Sequence, residues 1–260
     1  MMKPIHHSSW CLPYVVFMAI FVVLPLILIG FYAFSDGNGH FTLANFTKFF
    51  QDKDSLATFA LSIEVAIENT AICLLLGYPV AWILTNKKLN KSAVTIILFI
   101  LPMWVNALMR TLATAELFTM FGITLGKGTL LYGMVYDYLP FMIYPIYNTL
   151  QKIDPSYAEA AEDLGATPWR VFWKVTVPLS KPGIMSGIMM VFMPTVSTFA
   201  ISEFLTNNKI KLFGTIIQEK IYASMWNYGA ALAFIMLIII GITTLLTNND
   251  SDNQVEGGLI

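Results

Sequence analysis

The chain has 260 residues, of which 57% are hydrophobic and only 12% charged, with 15 basic against 16 acidic side chains and a mean hydropathy of +0.67. Soluble domains are about a quarter charged, so the deficit marks lipid as the solvent. A net charge of -1 offers no basic surface for nucleic acid, and two cysteines are too few for a disulfide framework or a thiolate metal site.

A membrane-crossing helix needs about 20 mostly apolar residues, because the hydrocarbon layer is about 30 Å thick and each helical residue rises about 1.5 Å. The first span is predicted near 12–34: no charge falls between Lys3 and Asp36, and the apolar run is too long for a signal peptide and lacks a small-residue cleavage site. The second, near 66–84, becomes free of charge only beyond Glu64 and Glu68, so its membrane portion is the LLLGYPVAWIL half. The third runs over 93–121 and carries Arg110 and Glu116. The fourth, near 129–150, holds Asp137, Pro140 and Pro145. The fifth spans 182–205 and is uncharged until Glu203, and the sixth, near 228–247, is uncharged throughout. The expectation is an all-α membrane protein of six spans forming one domain over 1–260, with a frayed acidic tail after the last span.

Orientation follows the lysines and arginines of short loops. The connection NKKLNKS, Asn86 to Ser92, holds Lys87, Lys88 and Lys91, which puts it in the cytoplasm; six spans then put both termini there too, together with the segment before the fifth span. His6, His7 and His40 lie outside the apolar runs with no metal-binding spacing. Cys11 and Cys73 sit inside such runs and read as buried, inert thiols.

Residues 154–178 are unlike their apolar neighbours. Asp154-Pro155 and Thr167-Pro168 each read as a helix cap followed by a proline at the first helical position, and Gly165 between them can end the first helix in a left-handed conformation. The second helix is expected to stop before Pro178. Trp169, Phe172 and Trp173 offer aromatic area of the kind that anchors interfaces. On these residues alone the segment docks on a protein or lies as an amphipathic helix on the membrane surface.

Here a family becomes visible. Glu159, Ala160 and Ala161, three residues, Gly165, nine residues, then Val175, Val177 and Pro178, followed by Pro182-Gly183-Ile184, resembles the EAA loop of the permease subunits of bacterial ABC importers. The resemblance implies that Glu159, Ala160, Ala161, Gly165, Ala166 and Pro178 belong to a coupling element seated in a cytoplasmic ATPase. LGYPVAW, LPMWVNALMR, VYDYLPFMIYPIY and FAISEFL look like the spermidine/putrescine permeases, particularly their B-type subunit, although the connection between Arg110 and Gly128 is shorter and the basic tail is missing. This implies an importer half-channel in a bacterial inner membrane, working with a second permease subunit, two ATPase copies and an extracytoplasmic polyamine-binding protein.

A charge in a spanning helix costs about 2.5–3.5 kcal/mol on insertion scales, so each asks for a reason. A polyamine path should alternate carboxylates with aromatic faces. Glu203 with Phe199 one turn earlier fits that chemistry, as do Asp137 beside Tyr138, with Trp104 a further aromatic candidate. Arg110 would repel a cation and is expected to pair with another span. The chain has no phosphate-cradling G-x-x-x-x-G-K-[ST], so it is not itself an enzyme: ATP and magnesium belong to the partner, and no cofactor is expected in this chain. A permease for sulfate, molybdate or ferric ion shares the same loop and is the nearest alternative; a passive channel would not need it.

Overall fold

The computed structural model describes residues 12–86 and 94–256. Lys87, Lys88 and Lys91, on which the expected orientation rests, lie outside the described residues, as do Cys11, His6 and His7. No sheet forms among the described residues; one isolated antiparallel bridge joins Ser35 and Phe41.

In chain order, α1 (Leu12–Met18) passes through a π-helical turn (Ala19–Val23) into α2 (Leu24–Ala33), followed by α3 (Ala44–Gln51) and the 33-residue α4 (Lys53–Thr85). Next come α5 (Val94–Ile100), a 3₁₀ turn (Leu101–Trp104), α6 (Ala107–Met120), α7 (Lys127–Leu150) and α8 (Ser156–Asp163). α9 (Pro168–Val171), a second π-helical turn (Phe172–Thr176) and α10 (Val177–Leu179) lead to α11 (Lys181–Ser197), α12 (Ala200–Thr206), α13 (Phe213–Tyr222) and α14 (Trp226–Glu256). The expected frayed tail is helical as far as Glu256.

Three stretches are long and apolar enough to cross a membrane as single helices: Pro13–Ala33, Lys53–Thr85 and Trp226–Leu245. Two more are bent pairs, Val94–Trp104 with Ala107–Met120 at 91° and Pro168–Leu179 with Lys181–Ser197 at 64°. The expectation of one continuous third helix is therefore corrected. Pro102 opens the 3₁₀ turn, Val105 is extended, and Asn106 caps α6 by accepting from Leu108 N–H at 2.9 Å, so local capping outweighs the apolar run. The fifth segment is broken as well: α11 stops at Ser197, whose hydroxyl donates to the Met193 carbonyl at 3.1 Å, and Thr198 is extended before α12 begins. At 24 residues α7 is long enough to cross, but Asp137 and its tyrosines make it less apolar than the others. Its Thr129 and Asp137 are buried, so protein rather than lipid covers them, while Tyr132, Tyr136 and Tyr144 are exposed.

The chain divides into two compact units, 1–56 with 216–239 and 57–215 with 240–260. In the first, Phe34 meets Phe46 at a tilt and Phe234 edge-on, and the Asn227 amide donates to the Ser35 carbonyl at 2.9 Å. In helix Pro13–Ala33 an 18-residue apolar stretch has no buried residue, and only Ala33 at its end is buried, the pattern of a helix solvated by lipid. In the second unit, Cys73, Tyr78, Ala81 and Leu84 of α4 share a core with Met142, Ile143, Ile146 and Leu150 of α7 and Val191 of α11. Val65, Leu130, Met134, Ile201, Leu205 and Leu212 form a second cluster. α7 and α11 approach closely at Gly187, where a Cβ would sit 2.7 Å from Met142 Sδ and 3.2 Å from its carbonyl. Small residues at such crossings let helix backbones meet where lipid supplies no hydrophobic drive.

Candidate functional site

The segment after α7 is built by its caps. Asp154 accepts from the Ser156 N–H at 2.9 Å, and that bond to the ionised form holds its carboxyl below the usual carboxylate value. At the other end of α8, Gly165 takes φ +84°, with its N–H on the Glu162 carbonyl at 2.8 Å and the Ala166 N–H on the Ala161 carbonyl at 3.0 Å. This is the paired 5→2 and 6→1 closure that ends a helix in a left-handed residue. Thr167 is extended and Pro168 occupies the first helical position of α9. The corner between the two helices forms where the sequence predicts it.

The second helix does not stop before Pro178. It loosens into the π turn, in which the Val177 N–H reaches back to the Phe172 carbonyl, and continues through Pro178 as α10. A π turn widens the helix by one residue, which accommodates a ring that would otherwise meet the preceding turn. The 64° bend then falls at Ser180, where α11 starts.

What fixes this segment to the bundle is aromatic. Phe172 makes edge-on contacts with Tyr78 (5.7 Å) and Trp82 (5.8 Å) of α4, and the Tyr78 and Ser180 hydroxyls bond at 2.8 Å in a buried site. Trp169 stacks on Phe172, and Trp173 meets both edge-on. Tyr78 and Trp82 fall one turn apart on one face of α4; this i, i+4 aromatic pair was the available sequence signal for the fastening.

Of the residues placed on the coupling element by resemblance, Glu159, Ala160, Gly165 and Pro178 are exposed and Ala161 and Ala166 half-buried. The pathway candidates are dispersed. Asp137 is 2% exposed and faces Arg110, with Arg110 Nη2 3.1 Å from Asp137 Oδ1. The Thr111 hydroxyl donates to Asp137 Oδ2 at 3.0 Å, and the Arg110 guanidinium lies 5.5 Å from the Tyr136 ring centroid. Arg110 thus pairs with another helix. Its Nε and Nη1 have no hydrogen-bond partner among the described residues, and the contact with Oδ1 is a charge contact lacking hydrogen-bond alignment.

Tyr138 points to α11, its hydroxyl 3.5 Å from the Pro194 carbonyl. Trp104 is 87% exposed at the 91° bend. Phe199, exposed, precedes α12, and Glu203, half-buried, occupies that helix's first turn, its N–H on the Phe199 carbonyl. α12 packs against α6 and α7. Two polar groupings were not anticipated. Lys127 Nζ lies 2.8 Å from Glu64 Oε1 and 2.9 Å from Glu68 Oε1, and Asn69 donates to Thr195 Oγ1 at 2.8 Å in the core. Glu64 and Glu68 stand four apart on α4 and therefore share a face, but their lysine comes from 59 residues further on, which no local pattern reveals.

An all-helical, multi-pass membrane bundle with a capped helix pair fastened to its second long helix is the build of a transport-complex membrane subunit. The chain belongs to the family described as binding-protein-dependent transport system inner membrane component, which matches residues 3–249. It is 30% identical to the spermidine/putrescine transport system permease protein PotB of Escherichia coli over 253 residues, covering 88% of this chain and 92% of that one. Against the PotB of Haemophilus influenzae it is 30% identical over 250 residues, covering 87% and 85%. Among solved structures, a chain from a bacterial ABC transporter involved in the import of the acidic polysaccharide alginate superposes with a TM-score of 0.67, covering 95% and 94%, at 16% identity; that likeness concerns the fold.

Proposed function

We propose that this chain is one permease subunit of an ATP-driven importer of polyamines in a bacterial inner membrane. The observation that carries the importer reading is the coupling element: a helix pair with a specified corner, exposed on its α8 side and clamped to α4 through Phe172, Tyr78 and Ser180. A pull on α8 is transmitted to α4 by packing and to α11 through the Ser180 bend. Family membership and the names of the relatives support the cargo assignment.

In this reading residues 1–260 act as one permease domain of six spans, with the Val94–Met120 bent pair, α7, and α11 with α12 completing the set, and with both termini and residues 154–178 in the cytoplasm. Two ATPase copies bind magnesium and hydrolyse ATP, a second permease completes the path, and an extracytoplasmic binding protein delivers the ligand. Glu203 and Phe199 receive the cation, with Trp104 and Tyr138 as aromatic steps. Asp137 contributes only when its pair with Arg110 separates.

The test is ATPase stimulation in a reconstituted complex offered spermidine, putrescine, sulfate, molybdate and ferric ion in turn. A polyamine alone should stimulate, and Glu203→Gln should weaken uptake in a complex that assembles normally. Stimulation by sulfate or molybdate would overturn the cargo and the role of Glu203 while leaving the coupling element in place.

A further inference from the structure

Between the late half of α4 and the α9–α10 segment runs a groove of about 630 Å³. Its walls include Leu75, Trp82, Trp169, Phe172, Trp173 and Val177. Every lining side chain is apolar or aromatic; the Tyr78 hydroxyl is taken by Ser180, and the remaining side-chain polar groups are the indole N–H donors of Trp82, Trp169 and Trp173. Leu75 is 74% exposed and Trp169 71%, so the groove is open along its length.

We propose that this groove holds an acyl chain of an anionic phospholipid, whose phosphate is held by Arg170 and Lys174. Three observations favour that occupant. First, walls that offer no side-chain acceptor beyond the Tyr78–Ser180 pair and no donor other than the indoles suit a chain that needs neither, and would leave irregular peptide backbone unsatisfied. Second, Trp169 and Trp173 fall one turn apart, their ring centroids 5.7 Å from each other. Indoles of this kind settle where hydrocarbon meets headgroups, with the ring in apolar surroundings and the N–H toward water.

Third, Arg170 and Lys174 occupy the next row of the same helix, four residues apart and both exposed. Neither makes an ion pair among the described residues. The acids of the segment, Glu159, Glu162 and Asp163, belong to α8 on the other side of the Gly165 turn. The sequence adds Lys87, Lys88 and Lys91 within nine residues of Trp82. An apolar slot with an aromatic rim and two uncompensated cations beside it matches a two-part ligand, hydrocarbon with an anionic head. A lipid seated there touches both α4 and the segment that moves with the ATPase, so it is placed to affect coupling whatever the cargo.

The experiment is native mass spectrometry of the assembled complex released from nanodiscs of equimolar phosphatidylglycerol and phosphatidylcholine. The wild-type complex should retain phosphatidylglycerol with a preference of about fivefold per basic residue. Arg170→Gln with Lys174→Gln should lose that preference, and Leu75→Trp, which fills the slot, should lose the lipid itself. Tryptophan quenching by brominated phosphatidylglycerol, compared between wild type and Trp169→Phe with Trp173→Phe, reads the same site without disturbing its charges; the wild type should be quenched more. Equal phosphatidylglycerol retention in wild type and both retention variants would overturn the proposal. So would groove tryptophans shielded from brominated lipid in the assembled complex, which would assign the groove to a helix of a partner subunit.

Discussion

Removing one member of the Arg110–Asp137 pair tests the account of charge inside this bundle most directly. At 3.1 Å and an effective dielectric of about 20, the Coulomb attraction is about 5 kcal/mol. Both groups are buried, at 8% and 2% exposure, and the effective cost of burying each ion is several kcal/mol. Attraction and desolvation nearly cancel, and Arg110 Nε and Nη1 add unmet donors. The pair therefore contributes little net stability, yet losing either member strands the other.

Asp137→Asn and Arg110→Met should each lower the unfolding free energy by about 3–5 kcal/mol. The Tyr136 ring leaves Arg110 a residual cation–π contact of about 0.5–2 kcal/mol, which puts Asp137→Asn toward the lower end. The apolar double variant, Arg110→Met with Asp137→Leu, should recover most of the loss, to within about 1–2 kcal/mol of wild type. Detergent-titrated unfolding followed by tryptophan fluorescence of wild type, Arg110→Met, Asp137→Leu and the double variant supplies the four corners of the cycle. Single-variant losses that simply add in the double variant would refute this reasoning, because they would mean that the two charges do not depend on one another.

Three further outcomes follow from the geometry. Gly165→Pro cannot adopt φ +84°, so it should abolish substrate-stimulated ATP hydrolysis in an assembled complex; retained stimulation would remove the α8 corner from the coupling path. Gly187→Val drives two methyl groups toward Met142 and should cost about 1–3 kcal/mol through overpacking, visible as a lower melting temperature in detergent, whereas an unchanged value would mean that α7 and α11 yield there. Asp154 has a lowered pKa in the fold, so its contribution to α8 is complete above the unfolded value near 4 and is lost as pH falls through the lower, folded value. Amide exchange in α8 should accelerate across that acid range in wild type and stay flat in Asp154→Asn, which caps without titrating; identical profiles would dissociate the cap from ionisation.

The turn at residues 154–168 was legible because its causes are local: Asp154, Gly165 and Thr167-Pro168 act on the backbone within one turn of themselves. The long apolar spans near 12–34 and 228–247 were legible for the same reason, since lipid selects for length and apolarity regardless of what lies beside the helix. Even the polar intrusions were visible as residues that demand an explanation. Their partners were not. Arg110 meets Asp137 from 27 positions away, Lys127 reaches back to Glu64 and Glu68, and Tyr78 finds Ser180 across 102 positions. In a chain that is apolar on all sides, periodicity does not separate a lipid-facing surface from a buried one, and so it does not say which helices meet.

The breaks at Asn106 and Thr198 were hidden for a related reason: hydropathy counts apolar residues and is indifferent to a cap that turns the chain among them. Composition and local capping thus determined that this protein is a helical membrane protein carrying a capped helix–turn–helix ahead of its fifth apolar segment. Tertiary structure alone decided where the helices bend, which charges neutralise each other, and that the α9–α10 segment is held to α4 by Phe172, because those outcomes depend on contacts between residues that no sequence spacing relates.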